Sequence, residues 1–271
     1  MKRLYIILIA YLCTTSFVLP QGYLRFSPVG IYLQMGNEIP GHSAVSAYII
    51  ERQDGYGRIK TDSVSFPASK EAFIRLTEDY SALLRQKVPE QKVLDFVYSA
   101  SQNYGIRDSL KSYGNIFTLN IALGTAFLDI SAESSGNYEY KVFAIKNGIR
   151  EQIYSSGKIE FIQKSADCSF ELDKIEGTEK KIEMIINSSG NEVVSYIVLR
   201  KEIREKEYRE VKLNGVFYYS EGKKLLKLED KDVVSGEVYQ YRIFPLDALG
   251  NPGVPAENIT AAAYDFAKIV N

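Results

Sequence analysis

An internal repeat constrains this chain more than any other feature of its sequence. Residues 138–148 read YEYKVFAIKNG and residues 239–250 read YQYRIFPLDALG. A second pair lies upstream in the same order, VSAYIIER at 45–52 and VSYIVLR at 194–200. Two echoes in the same order indicate two copies of one structural unit.

Each echo has the pattern of a β-strand. In the later copy, Tyr239, Tyr241 and Ile243 alternate with Gln240 and Arg242, so the two sets lie on opposite faces. Aromatic and β-branched residues suit such a half-buried surface. The segment 247–253, DALGNPG, is a turn cluster that ends the strand, and its first Asp side chain is expected to cap its own backbone.

At these residues the chain resembles a fibronectin type III domain. The resemblance assigns Tyr138 and Tyr239 to the tyrosine corner, in which a Tyr hydroxyl bonds back to the preceding chain. It covers roughly 166–271 and matches the earlier copy in pieces. It implies a mainly β fold of two fibronectin type III-like (immunoglobulin-like) β-sandwiches in tandem, at 17–165 and 166–271, the first carrying an α-helical insertion. Tyr48, Tyr196, Arg52 and Arg200 match the family's third strand.

The later copy contains seven short stretches with strand character, as such a sandwich requires. The predicted strands are 168–174, 181–187, 193–202, 208–214, 224–228, 236–246 and 257–264. In the earlier copy, 22–35 holds one clear strand and 158–163 reads as the closing strand.

The earlier copy contains a long insertion, expected at about 67–129. Tyr48 and Tyr138 lie 90 positions apart, whereas Tyr196 and Tyr239 lie 43 apart, a difference of 47. Apolar residues at helical spacing follow Ser69, a suitable helix cap, although 116–129 equally fits a strand. The insert either packs within the chain or forms a recognition surface. The candidate partner-binding residues are Phe73, Leu76, Tyr80, Leu84, Phe96 and Tyr98.

The first residues have the form of a secretion signal, predicted to span 1–16. Lys2 and Arg3 precede an apolar run that is too short to remain as a membrane anchor. Lipidation at Cys13 is the alternative, but the residues before it are bulkier than such sites favour. The sequence therefore predicts a secreted, periplasmic or cell-surface protein of bacterial type without a lasting transmembrane segment.

Composition and motifs argue against nucleic acid binding, nucleotide binding and most kinds of metal or cofactor site. The 271 residues carry a formal charge of −1, which is unsuited to nucleic acid binding. His42 is the single histidine, and Cys168 is the single cysteine left after signal removal. The sequence has no nucleotide-binding loop, and no cofactor or metal is predicted. Asp230, Asp232, Asp247 and Asn251 offer oxygen ligands without an EF-hand pattern.

Carboxylates alone leave one catalytic alternative open, because glycoside hydrolases need only two of them. The candidates Glu78, Asp79, Asp95, Asp108 and Asp129 are expected mostly at exposed helix positions, and no pair stands apart. The favoured interpretation is a non-enzymatic binding or scaffolding protein with a protein or glycan partner at the cell envelope. The alternative is an accessory module of a carbohydrate-processing system or a carboxylate-based hydrolase. The oligomeric state is left open.

Overall fold

The computed structural model describes residues 23–162, 165–190 and 193–264. The predicted signal peptide 1–16 and Cys13 lie outside the described residues. The predicted boundary between 165 and 166 lies next to two residues that are not described, and it stays a prediction.

The first half of the chain forms a sandwich of two antiparallel sheets, here called the N-terminal sandwich. One sheet has the strand order β1-β2-β5 and the other β4-β3-β6-β7. Its strands are β1 Tyr23–Ser27, β2 Gly30–Gln34, β3 Val45–Asp54, β4 Ile59–Val64, β5 Ala126–Asp129, β6 Asn137–Lys146 and β7 Ile149–Glu160.

The second half forms the C-terminal sandwich, again from two antiparallel sheets. Their strand orders are β12-β13-β9-β8 and β11-β10-β14-β15. The strands are β8 Ser169–Thr178, β9 Lys181–Ser189, β10 Ser195–Glu202, β11 Arg209–Val211, β12 Asn214–Ser220, β13 Lys223–Asp230, β14 Val238–Leu246 and β15 Ala256–Ala262.

The two sandwiches share one strand order, since β1 to β7 correspond in sequence to β8, β9, β10, β11, β13, β14 and β15. Inward-facing residues alternate with outward-facing ones along the paired central strands, as a sandwich requires. The predicted fold class, two tandem fibronectin type III-like sandwiches with a helical insertion in the first, is confirmed.

The insertion between β4 and β5 is helical and has a core of its own. Its elements are α1 Lys70–Leu83, α2 Gln91–Gln102, a 3-10 helix at Tyr104–Tyr113 and α3 Phe117–Ala122. Ser69 caps α1 as predicted, because its Oγ accepts a hydrogen bond of 3.2 Å from the Ala72 amide. The core of the insertion comprises Ile39, Phe73, Leu94, Val97, Leu119, Ala122 and Leu123.

The structure corrects the predicted extent of the insertion. Residues 126–129 form strand β5, which pairs with β2, so the helical part ends before this strand. Ala126 and Leu128 face one apolar cluster and Phe127 faces another. Burial on both faces removes the alternation of polar and apolar residues that would have revealed a strand.

Three further strands differ from prediction. The stretch 22–35 is a hairpin, β1 and β2, rather than one strand. Strand β7 begins at Ile149, where its exposed residues carry no periodic signal. Strand β12 was not predicted, because 208–214 was interpreted as the last strand before 224. In the structure β12 pairs with β13, and its Phe217 packs against the core.

Candidate functional site at the junction of the two sandwiches

The loop between β14 and β15 is held in shape by its first residue. The Asp247 carboxylate accepts hydrogen bonds of 2.8 Å from the amides of Leu249 and Asn251 and from the Asn251 side chain. This confirms the expectation that Asp247 caps its own backbone. The fixed loop, residues 247–251, is called the junction loop below.

The junction loop inserts its apolar tip into the N-terminal sandwich. Leu249 is buried and belongs to a cluster whose other members come from β2, β5, α3 and the residue after α1. Burying a Leu side chain contributes about 1.5–3 kcal/mol relative to leaving it exposed. The buried members are Tyr32, Leu84, Phe117, Ile121, Ala126, Leu128 and Leu249.

Hydrogen bonds between the junction loop and the first half of the chain surround this apolar contact. The Ser27 hydroxyl donates to the Leu249 carbonyl at 2.9 Å, and the Asn251 side chain donates to the Phe26 carbonyl at 3.0 Å. The Gln86 side chain donates to the Ala248 carbonyl. These bonds satisfy backbone groups of both strand β1 and the junction loop, which would otherwise be buried without partners.

The residues after helix α1 make a second set of contacts. The Ser195 hydroxyl at the start of β10 donates to the Arg85 carbonyl at 2.8 Å. The Arg85 guanidinium pairs with Glu210 at 3.1 Å, but both side chains are about half exposed, so this ion pair contributes little. The insertion therefore contacts the second sandwich directly.

The backbone conformation at Gly250 and its close approach to the residue after helix α1 favour glycine at this position. Its φ of +80° lies in the left-handed region, and a Cβ placed on it would lie 2.8 Å from the Leu84 carbonyl oxygen. Both the conformation and the contact with backbone favour glycine.

The two predicted corner tyrosines occupy equivalent places. The Tyr138 hydroxyl accepts a hydrogen bond of 2.7 Å from the Glu133 amide, and the Tyr239 hydroxyl accepts one of 2.8 Å from the Val234 amide. In both cases the partner lies five residues earlier. Whether these bonds stabilise each sandwich stays a prediction, and it is tested below.

A buried Arg–Asp–Tyr triad lies beside each of these tyrosines. In the N-terminal sandwich, Asp129 of β5 accepts from the Arg52 guanidinium and the Tyr140 hydroxyl, each at 2.8 Å. Burial alone would raise the pKa of the Asp129 carboxyl, but bonds from Ser131 and Tyr140 and the Arg52 charge hold it below its usual value.

The C-terminal sandwich repeats the triad. Asp230 accepts from Arg200 at 2.8 and 3.0 Å and from the Tyr241 hydroxyl at 2.8 Å. Each triad joins one sheet of its sandwich to the other. Asp129 is thus a buried strand residue, which corrects its assignment to the exposed carboxylates.

Sequence reasoning had found the Arg and Tyr members through the repeat but not the Asp. The available signal was spacing, because each Asp precedes its Tyr by 11 residues.

The insertion residues predicted to bind a partner lie mostly inside. Phe73 and Leu84 are fully buried, and Leu76, Tyr80 and Tyr98 pack partly buried against the clusters of the insertion and the junction. A buried side chain is not available to a partner, so the expectation is corrected for Phe73 and Leu84. Phe96 is 39% exposed.

Glu51 and Glu139 line one small depression of the N-terminal sandwich. The depression has a volume of about 20 Å³, which is room for about one water molecule. Glu51 pairs with Arg150 at 2.5 Å and Glu139 with Lys141 at 3.4 Å. His42 packs edge-on against Phe66, and burial first, then the Arg107 charge, lowers its pKa.

Within 23–162, 165–190 and 193–264, no three His, Cys, Asp or Glu residues are grouped as a metal site would need. None of the helices in these ranges has the length and apolar character required to cross a bilayer.

Comparisons with known proteins follow. No family model matches the sequence, and no curated protein matches it. Among solved structures, the chicken CNTN1 FN1-FN3 domains share 11% identity over 88% of this chain and 63% of theirs, with a TM-score of 0.33. A tetra-tandem repeat from the extending region of a large adhesion protein shares 11% identity over 89% of this chain and 48% of its own, with a TM-score of 0.25.

Purple acid phosphatase PPD1 from yellow lupin seeds shares 10% identity over 49% of this chain and 24% of its own, with a TM-score of 0.24. The chain thus spans less than two thirds of each of these structures. The strand order and pairing of its own two halves define a fibronectin type III-like fold.

Proposed function

We propose that this chain is a non-enzymatic binding and scaffolding protein, secreted by a bacterium or displayed on its surface, that holds two sandwiches as one rigid unit for protein contacts. The observation that carries the proposal is the insertion of the junction loop into the cluster around Leu249. Independent sandwiches on a flexible linker would bury no such cluster.

The helical insertion has a defined role in this proposal. Leu84 forms part of the wall that receives Leu249, and Gln86 and the Arg85 carbonyl bond to the second sandwich. The insertion thereby fixes the direction of one sandwich relative to the other. A partner that contacts both sandwiches then binds without the loss of conformational entropy that fixing two mobile sandwiches would require.

The location rests on the sequence. Lys2 and Arg3 followed by an apolar run are typical of a secretion signal. The carboxylate-hydrolase alternative is not favoured, because the depression with two carboxylates is too small for a sugar ring.

The test is partner capture from the cell envelope of the source organism, with identification by cross-linking. The matched variants are Gly250→Ala, whose new Cβ meets the Leu84 carbonyl, and Gly148→Ala, which has a similar positive φ but no atom within 4 Å. We expect a protein to be retained by the parent and by Gly148→Ala and to be weakened by Gly250→Ala. Retention of no protein, or equal retention by both variants, contradicts the proposal.

A further inference from the structure

Strand β12 differs from the other edge strands of the two sandwiches because it carries no charged residue. It reads NGVFYYS at 214–220, contains no proline, and pairs with β13 along its whole length without a bulge. Edge strands are usually protected from pairing with another chain by charges, prolines or bulges. Among the described strands, β12 is therefore the edge with the least protection.

Each of the other edge strands carries at least one charge. These strands are β1, β4, β5, β7, β8, β11 and β15, and their charged residues include Arg25, Lys60, Asp129, Arg150, Glu171, Arg209 and Glu257. The ladders that hold β7, β8 and β15 also contain register shifts of the kind that bulges produce. The absence of protection is thus particular to β12 and is not a general property of the edges in this chain.

The turn after β12 determines which backbone groups lie on its free side. Strands β12 and β13 are joined by the two-residue turn 221–222, in which both residues have positive φ, and Ser220 pairs with Lys223. In such a hairpin the residues next to the turn exchange both backbone hydrogen bonds, and the pattern alternates along the strand. Phe217 and Tyr219 therefore direct their amides and carbonyls away from β13, to a side on which no described strand pairs.

The beginning of this free side is covered from within the chain. The Tyr196 hydroxyl donates to the Leu213 carbonyl at 2.9 Å, and it lies so close to Gly215 that a Cβ there would clash with it. The uncovered stretch of the edge is therefore 216–220.

The uncovered stretch is complementary to itself in antiparallel orientation. A two-fold axis at Tyr218 pairs Phe217 of one copy with Tyr219 of the other, so that each free amide meets a free carbonyl. The same register places Tyr218 opposite Tyr218 and Val216 opposite Ser220, and aromatic and β-branched residues stabilise cross-strand pairs. Val216 and Tyr219 are 66% and 75% exposed, so the pairing removes apolar surface from water.

The charges around the stretch favour this antiparallel arrangement. Glu221 is exposed and follows the stretch directly. In the antiparallel pair it lies opposite Gly215 of the other copy, whereas in a parallel pair it would lie opposite a second Glu221 and be repelled. The exposed Lys223 and Lys227 of β13 lie three strand spacings, about 14 Å, from those of the other copy, which exceeds the screening length at physiological salt.

We propose that β12 is a self-association edge, through which two copies of this chain pair antiparallel along residues 216–220. The pairing joins the β12-β13-β9-β8 sheets of the two copies into one continuous sheet. Because the same residues meet on both sides, the assembly closes at two copies. A dimer presents each partner-binding surface twice, which strengthens binding to a partner with two sites. The pairing uses no contact of the junction loop, so it is tested separately from the rigid-scaffold role.

The experiment is sedimentation velocity of the full chain under reducing conditions. Because the contact is short, we expect a dimer fraction that rises with concentration and a Kd of about 0.1 mM. A chain that is still monomeric at about 1 mM overturns the proposal and leaves this edge to an extended segment of a different protein.

Two variants of the uncovered stretch are expected to weaken dimerisation about tenfold or more. Tyr219→Pro removes a free amide without removing a bond to β13, and Val216→Lys adds the kind of charge that the other edges carry. Val216→Lys, at an exposed position, decides the test if the proline unfolds the strand.

The matched controls are expected to dimerise as the parent does. Tyr219→Phe keeps the amide and the ring, and Ile59→Lys adds the same charge at a 64% exposed position of edge strand β4. Equal dimerisation in Val216→Lys and Ile59→Lys overturns the proposal, because the two copies would then meet through another surface.

Disulfide formation tests the register of the pair. In a Cys13→Ser background, chains with Val216→Cys and chains with Ser220→Cys are mixed and oxidised. The two-fold register places position 216 of one copy and 220 of the other in a non-hydrogen-bonded pair with a Cα separation of about 4.5 Å, which suits a disulfide. Like positions lie about 13 Å apart, too far for a disulfide. We expect cross-linked dimers in the mixture, and equal cross-linking of either variant alone contradicts the register.

Discussion

The two sandwiches share their buried framework and differ in what lies between β4 and β5 or between β11 and β13. Both contain a corner tyrosine and an Arg–Asp–Tyr triad at equivalent positions. In the C-terminal sandwich a single strand, β12, completes the sheet beside β13. In the N-terminal sandwich helices take its place, and they form part of the wall that receives Leu249, together with residues of β2 and β5. One framework thus supports an additional strand in one copy and a docking surface in the other.

The largest expected effect concerns the triads. Asp230→Ala removes the buried partner of Arg200, which then keeps only its contacts with the exposed Asp232, and is expected to lower the free energy of unfolding of the C-terminal sandwich by about 3–5 kcal/mol. Hydrogen exchange during denaturation identifies which sandwich opens. Asp129→Ala is the matched change and is expected to act on the N-terminal sandwich. If either change lowers the protection from hydrogen exchange equally in both sandwiches, the conclusion that each triad stabilises only its own sandwich is wrong.

The next effect concerns the junction. Leu249→Ala is expected to lower the free energy of unfolding by about 2 kcal/mol. This is the lower end of the range for a buried Leu, because the cavity left by the side chain lies between two sandwiches that can separate. Calorimetry is expected to show one unfolding transition for the parent and two for the variant. Two transitions in the parent would mean that the sandwiches unfold independently without any change.

The corner tyrosines are expected to have a smaller and equal effect. Tyr239→Phe and Tyr138→Phe each remove the hydroxyl that a backbone amide donates to, at a cost of about 1 kcal/mol or more. Urea denaturation of the two variants and the parent measures this cost. Coincident curves for Tyr239→Phe and the parent would show that the Tyr239 hydrogen bond does not stabilise the sandwich, and would contradict its assignment as a tyrosine corner.

The smallest effect is a pH dependence in the N-terminal sandwich. The Asp129 pKa is lowered in the folded state, so its stabilisation is present above its usual value of 3.8 and is lost as the pH falls through the folded value. The difference in unfolding free energy between the parent and Asp129→Asn should therefore be larger at pH 7 than at pH 3. A difference that is the same at both values contradicts the lowered pKa.

The strands and buried residues that both sandwiches share were predictable, because their pattern occurs twice in the sequence. Tyr138, Tyr239, Arg52 and Arg200 could be placed by comparing the copies, and Ser69 marked the start of a helix by local chemistry. Asp129 was not identified because it lies outside the echoes, at the end of the predicted insertion, where 116–129 fitted a helix and a strand equally well. Its equal spacing from Tyr140 becomes visible only once Asp230 and Tyr241 are known to be partners.

The junction could not be predicted for a different reason. Leu249 lies in a turn cluster, where an apolar residue carries no periodic signal, and its contacts lie more than 100 positions away along the chain. The residues predicted to bind a partner carried the right apolar pattern, but a pattern does not distinguish an external partner from another part of the same chain. Leu84 belongs to the cluster that contains Leu249 of the second sandwich, and Tyr80 packs against that cluster.

The most direct test of the rigid junction is the distance distribution between spin labels on the two sandwiches. Labels on Tyr56→Cys and Lys206→Cys in a Cys13→Ser background occupy exposed positions, whereas Cys168 is buried. A rigid junction gives one narrow distribution for the parent and for Gly148→Ala, and a broad one for Gly250→Ala, whose Cβ displaces the Leu84 carbonyl. A broad distribution in the parent, or a narrow one in Gly250→Ala, would contradict it.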